Sequence, residues 1–215
     1  MYEPEHFKVH EAARPHALMA AHPLGLLVSA GAQGLLANAV PFQFFERLEH
    51  GILQGHVARA NTQWRDLAGG LDVLVVFQGV DRYISPSLYA SKPEHGKVVP
   101  TWNYVMVQAR GRAEVHEDAS WLRQQIGAIT DRQEASRVQP WAVSDAPDNY
   151  VAMQMRAIVG IEIELTGLIG KFKVSQNRSA EDRASVLAGL EAGGTALDKG
   201  MADMLRPFVR GNQGG

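Results

Sequence analysis

The densest run of chemistry-bearing side chains lies at residues 83–104, where Tyr83-Ile-Ser-Pro-Ser-Leu-Tyr-Ala-Ser-Lys92 is followed by Val99-Pro-Thr-Trp-Asn-Tyr104. Hydroxyls, a lysine, planar aromatics and a side-chain amide are the groups that a flat, phosphorylated cofactor requires. If the first segment is extended, alternation puts Tyr83, Ser85, Ser87, Tyr89 and Ser91 on one face and Ile84, Pro86 and Leu88 on the other. Pro86 cannot donate to a ladder, so an edge strand or ordered loop is expected, with donors free for a ligand. Lys92 at its end suits a phosphate as a point charge. In the second segment Trp102 beside Asn103 offers a flat apolar surface and a donor–acceptor pair, as a flavin ring needs along its plane and at its pyrimidine edge. Trp102 and Tyr104 share a face under strict alternation, a spacing that also serves a core.

Two further clusters have anion-binding chemistry. Gly55-His-Val-Ala-Arg-Ala-Asn-Thr-Gln-Trp64 lies at the junction of a strand and a short helix led by Asn61 or Thr62. Helix N-termini present free N–H groups, so Arg59 with this turn is a candidate phosphate clamp, and His56 a barrel residue beside it. In Lys171-Phe-Lys-Val-Ser-Gln-Asn-Arg178, Lys171, Lys173 and Arg178 surround Ser175, Gln176 and Asn177 just before a capped helix. Other chemistries lack their motifs. There is no Gly-x-Gly-x-x-Gly and no Walker sequence, His50 and His56 lack zinc-site spacing, and Ser29, Ser85 and Ser87 have no nucleophile-elbow context.

The elements that must position these groups follow from periodicity. A short helix is expected over Glu11–Ala21, ended by His22-Pro23. Strand character follows over Leu24–Ala30, Leu35–Phe42, Gly51–Val57 and Leu71–Gly79, with Gly31-Ala-Gln-Gly34 as a turn. Leu71-Asp-Val-Leu-Val-Val-Phe77 reads as a strand buried on both faces, and Tyr104–Val115 as a long strand with a bend or bulge at Gly111. Helices are expected over 118–132 and 148–157. A strand with one wet face then covers Ile158–Thr166, and Lys171–Ser175 is a further strand or its end. From Ser179 a capped helix, a Gly193-Gly194 break and a second helix reach about Arg206. Six or more strands with few helices between them indicate a mainly β, α+β chain: an antiparallel barrel with peripheral helices.

The chain of 215 residues suits one large domain, or one domain with a small appendage. The absence of cysteine excludes disulfides and thiolate chemistry, so any redox role needs a bound cofactor. No apolar run reaches membrane-span length and the acidic start lacks a signal-peptide n-region, so a cytoplasmic protein with no membrane contact is expected. The net charge of −2 gives no basic footprint for nonspecific nucleic-acid binding.

In their joint order these motifs resemble the PaiB-type FMN-binding negative transcriptional regulator family. The resemblance runs from Met1-Tyr-Glu-Pro-Glu-His-Phe7 through His22-Pro-Leu24, Gly55–Asn61, Tyr83-Ile-Ser-Pro-Ser87, Lys92 and Val99–Tyr104 to Ser175-Gln-Asn177. The family pattern usually carries Trp where this chain has Leu88, and Leu where it has Val174. The resemblance implies a pyridoxamine-phosphate-oxidase-like split β-barrel, a homodimer with FMN sites between subunits, and a repressor of transcription. It implies that Arg59, Lys92 and Arg178 neutralise the phosphate, that Ser85, Ser87 and Thr101 add donors, and that Trp102, Asn103 and Tyr104 contact the ring. His56, Asn61, Tyr83, Lys173, Ser175, Gln176 and Asn177 complete the expected cofactor-binding set. The expected organisation is a barrel domain over 1–178, a helical hairpin over 179–208 packed on the barrel or the partner, and a flexible tail at 209–215. DNA contact by the second hairpin helix would rest on Lys199 and Arg206 against Asp198 and Asp203, fewer cations than a recognition helix presents. The alternatives are a flavin-dependent oxidoreductase or flavin reductase and, with no defensible axial histidine, a haem-handling barrel.

Overall fold

The computed structural model describes residues 1–32 and 34–210. Gln33 in the first expected turn, and the expected tail from Gly211 on, lie outside the described residues. In chain order the helices are α1 (Ala13–Ala21), α2 (Gln63–Leu67), α3 (Lys92–His95), α4 (Ala119–Glu134), α5 (Asp148–Arg156), α6 (Ala180–Gly193) and α7 (Ala196–Arg210). The strands are β1 (Leu24–Gly31), β2 (Gly34–Pro41), β3 (Gln43–Phe45), β4 (Ile52–Ala58), β5 (Asp72–Ile84), β6 (Thr101–His116) and β7 (Ile158–Lys173). They form one sheet in the order β2-β1-β5-β6-β7-β4-β3, with β1 antiparallel to β2 and β5 and β4 antiparallel to β3 and β7. A seven-stranded sheet with seven α-helices among the described residues is thus what folds, in keeping with the α+β expectation. No described helix is long and apolar enough to cross a membrane.

Strand alternation sets the core. On β7 Ile161, Ile163 and Leu165 are buried while Glu162 and Glu164 face outward, as their spacing predicts. The expectation of double burial fails for β5, whose Val73, Val75 and Phe77 are buried but whose Leu74 and Val76 are only half-covered. An apolar run marks a strand without saying how many layers cover it; here Val76 lies beside Leu26 of β1, itself exposed. Strand β6 runs through Gly111. Its small size serves close strand approach, because a Cβ there would strike the Glu164 carbonyl and the Ile163 side chain. The short strand β3 was not anticipated.

The segment after Tyr83 is not the alternating strand its hydroxyls suggest. Strand β5 stops at Ile84, and Ser85 Oγ accepts from Ser87 N at 3.2 Å to open a 3-10 turn over Pro86–Leu88. A serine cap followed by proline at the first turn position favours that turn over extension. The hydroxyl face is therefore dispersed: Ser85 and Ser87 bond each other at 2.8 Å, Tyr89 is buried, and Ser91 Oγ donates to Asp182 at 2.9 Å.

The chain forms two compact units, and β5, β6 and β7 contribute to both. One comprises His16–Phe77 and Gln108–Leu168. Its core of Leu27, Leu53, Leu67, Phe77, Ile161 and Ile163 contains a buried but fully satisfied Gln63, which donates to Leu27 O and Ser29 Oγ and accepts from Asn38 at 2.9 Å. The other comprises Met1–Pro15, Gln78–Val107 and the residues from Ile169 onward. In it Ser179 caps α6, Gly194 ends that helix at φ 73°, and Val186, Leu190, Met201 and Leu205 are buried between α6 and α7. Gly189 on α6 makes room for Leu88 of the 3-10 turn.

Candidate functional site

The end of β7 carries two lysines at period-two spacing, within the unit that holds the α6–α7 hairpin. Lys171 Nζ donates to Tyr2 O at 2.9 Å and stands over the Tyr2 and Tyr104 rings. Lys173 Nζ donates to Thr101 Oγ1 at 2.5 Å and lies 5.9 Å from the centre of the Tyr104 ring. Arg178 packs its guanidinium 4.7 Å over the Tyr89 ring. Among the described residues none of these three cations, nor Lys92, has a carboxylate salt-bridge partner. Burial lowers the Lys173 pKa from its ordinary 10.5, Tyr104 opposes the shift, and the positive charges of Lys171 and Arg178 lower it further. A bound anion would relieve that repulsion.

The neighbouring backbone is held rigidly. Asn103 Nδ2 donates to Ser175 Oγ at 2.8 Å, with both side chains buried and Ser175 at the left-handed φ of 67°. The Asn103 amide therefore positions the turn after β7. Gln176 clamps the same turn, accepting from Val174 N at 2.7 Å and donating to Phe172 O. Trp102 is exposed and meets Tyr83 edge to face at 5.9 Å. Lys92 begins the one-turn helix α3 and is exposed, as is Asn177. The Tyr89 hydroxyl and Arg183 Nε are buried without partners among the described residues, while Arg183 Nη1 donates to Arg178 O at 2.8 Å.

The remaining candidates belong to the other unit. Arg59 donates to Glu117 and to the Arg156 and Ile158 carbonyls, the last two at 2.9 and 3.2 Å, so much of its guanidinium is engaged internally. Asn61 Oδ1 accepts from Gln63 N at 3.1 Å to start α2, and His56 Nδ1 is 2.8 Å from Gln125 Oε1. The sequence candidates thus fall into two sets. Thr101, Asn103, Tyr104, Lys173, Ser175 and Gln176 come together with the Tyr83–Trp102 pair, the Ser85–Ser87 pair and Arg178 in one unit; His56, Arg59 and Asn61 lie in the other. Sequence reasoning missed Tyr2 and Arg183 beside the first set, and left Tyr89 and Lys171, both within its motifs, out of the cofactor-binding residues. The signal for Lys171 is its two-residue spacing from Lys173.

Ammonium, guanidinium and hydroxyl donors without carboxylates match a phosphate dianion, and the Tyr104 and Trp102 rings offer flat faces, so these residues fit FMN. Comparisons with known proteins bear on the family, the fold and the cofactor. Residues 1–167 match the family described as "Putative FMN-binding domain". The chain is 35% identical to an uncharacterised protein of Emericella nidulans, over 86% of this chain and 88% of that one. It is 30% identical to the protease synthase and sporulation protein PAI 2 of Bacillus subtilis, over 98% of this chain and 99% of that one. Among solved structures, the FAD and heme binding protein from Mycobacterium smegmatis shares the fold with a TM-score of 0.56 at 16% identity, covering 78% of this chain and 73% of that one. The cofactor of the family is FMN. The chain belongs to the PaiB-type family of FMN-binding split-barrel proteins.

Proposed function

We propose that the protein is a cytoplasmic FMN-binding homodimer that regulates gene expression, its FMN phosphate held by Lys173 and Arg178 and its ring system set against Tyr104 and Trp102. The observation that carries the cofactor assignment is the group of cations, Lys171 and Lys173 at Tyr104 and Arg178 at Tyr89, with no carboxylate to balance them among the described residues. Thr101 Oγ1 orients Lys173, and the Asn103–Ser175 bond keeps the turn before Arg178 in place. Bound FMN supplies one- and two-electron redox chemistry that no side chain of a cysteine-free protein offers. Dimerisation is supported by Leu24, Leu26 and Leu35, which stand exposed on β1 and β2 as an apolar face that a second copy would cover. The regulatory role rests on family membership and on the Bacillus relative, named for protease synthase and sporulation. Direct DNA contact is not assigned to α7, because Arg206 spends its N–H groups on Glu191 and Asp203.

A second reading, a flavin-dependent oxidoreductase or flavin reductase, is favoured by Lys173, whose lowered pKa makes it a better proton donor at the same cluster.

Titration of the flavin-free protein with FMN and with riboflavin tests the cofactor site. Lys173→Met is expected to weaken FMN by about tenfold, the worth of one charge-assisted bond, and riboflavin far less. Equal losses for both would remove the phosphate from Lys173. Salt-sensitive, sequence-selective retention of the gene's own upstream DNA supports the regulator, and multiple-turnover NAD(P)H oxidation supports the enzyme. Sedimentation as a monomer at micromolar concentration would remove the dimer.

A further inference from the structure

A cavity of about 360 Å³ lies within the unit that carries β4, α4 and α5, on residues that no part of the proposed phosphate site uses. That volume is within the ordinary range for small-molecule pockets. Ile126 of α4, Val151 and Met155 of α5 and Ile158 of β7 form apolar walls. Trp141 and Tyr150 stand at it with about half of their surface exposed, which is costly for rings unless something covers them. No aspartate, glutamate, lysine or arginine lines it.

Its chemistry is set by His56. Nδ1 of that ring is bonded to Gln125 Oε1 at 2.8 Å, and Gln125 is 2% exposed. The ring nitrogen left for a ligand is therefore Nε2. The Gln125 Nε2 group is buried without a partner, so this polar pair sits behind an apolar cavity with hydrogen-bonding capacity unspent. With the amide oriented as it is, Nδ1 donates and Nε2 accepts; with the amide turned over, the roles reverse. A hydroxyl serves Nε2 in either case, because it both donates and accepts.

We propose that this cavity is a second binding site, separate from the cation cluster, for an uncharged, flat, mostly apolar molecule bearing a hydroxyl group that bonds His56 Nε2. A carboxylate or phosphate ligand is disfavoured, since the walls hold no cation to replace its water. The site does not depend on the FMN assignment and would make the chain responsive to an aromatic alcohol as well as to flavin.

Calorimetric titration of the flavin-loaded full chain with 2-naphthol, and with 2-naphthoate as the charged analogue of similar size, tests it. Saturable binding of 2-naphthol at a single site per chain is expected, with 2-naphthoate weaker by about tenfold or more for want of a buried partner. Ala146→Phe and Thr130→Trp each place bulk in the cavity and should abolish 2-naphthol binding while the purified protein keeps its flavin content. Circular dichroism shows whether each variant folds, and either folded variant suffices. His56→Leu should weaken 2-naphthol by about tenfold but leave binding of unsubstituted naphthalene unchanged, as expected for one lost hydrogen bond to a polar ring. Non-saturable uptake, equal binding of the two naphthalenes with acid and hydroxyl groups, or 2-naphthol binding that survives a filled cavity would overturn the proposal. Loss of FMN from both folded cavity-filled variants would also overturn it, by giving the cavity to the flavin itself.

Discussion

Arg82 Nε donates to Asp198 Oδ1 at 2.6 Å, tying the second half of β5 to the first turn of α7 within one compact unit. Asp198 is buried, and Thr195 Oγ1 gives it a second bond at 2.6 Å. Replacing Asp198 with Ala strands a cation that water still reaches, so the cost should be that of a charge-assisted bond, about 1.5–3 kcal/mol by urea denaturation. The same variant should raise proteolysis at the Gly193-Gly194 junction before any global unfolding.

Asp198 also fixes an acid limb. The Thr195 hydroxyl, against the opposing effect of burial and aided by the Thr195 N–H and Arg82, holds its carboxyl below the ordinary 3.8. A depressed folded pKa means stability that is fully present above pH 3.8 and is lost as the pH falls through the folded value. Stability measured from pH 5 downward should therefore fall less steeply in Asp198→Asn than in the parent, about the span over which such a carboxylate titrates. Parallel curves would count against the hydrogen-bond cause.

At Lys173 the pKa is also lowered, but there the charged form is the one that costs stability. Its folded pKa is lowered from 10.5 by burial, so its charge costs stability at neutral pH, and the flavin-free protein should gain stability as the pH rises from the folded pKa toward 10.5. FMN needs the charged form, so its affinity should fall over the same interval. Both slopes should flatten in Lys173→Met, read by chemical denaturation and by flavin fluorescence.

Ser175 holds the Asn103 amide and does so at a positive φ. Ser175→Ala leaves buried amide groups unpaired and should cost about 1–3 kcal/mol. Ser175→Gly loses the same bond but relaxes the left-handed backbone, recovering about 1 kcal/mol of the loss. A thermal-melt ranking of parent above glycine above alanine variants checks this.

Gly111→Ala puts a methyl group against the Glu164 carbonyl. The expected cost is about 1–3 kcal/mol of overpacking, because a strand backbone on each side must move. A melting temperature equal to that of the parent would mean that β6 and β7 can part at this point.

Much of the sheet was legible in the sequence because alternation is a two-residue signal: Ile161, Ile163 and Leu165 against Glu162 and Glu164 gave both the strand and its buried face. Helix α6 was legible from Ser179, and the break after it from Gly193-Gly194. Residues 83–91 were misread because the pattern of hydroxyls also fits a strand, while one Ser-Pro pair turns the chain after Ile84. The double burial expected of Leu71–Phe77 failed because coverage of a sheet face depends on residues far away in sequence. The candidate site was legible as a list of donors but not as a geometry. Nothing local to Asn103 says that its amide is spent on Ser175, seventy-two positions on, nor local to Arg59 that Glu117 answers it.

The Leu88 side chain occupies the space that any side chain on Gly189 would need. An indole in place of Leu88 would put a far larger group over the same turn of α6. Leu88→Trp alone should therefore pry the α6–α7 hairpin away from the 3-10 turn, and any side chain on Gly189 should do the same from the other side.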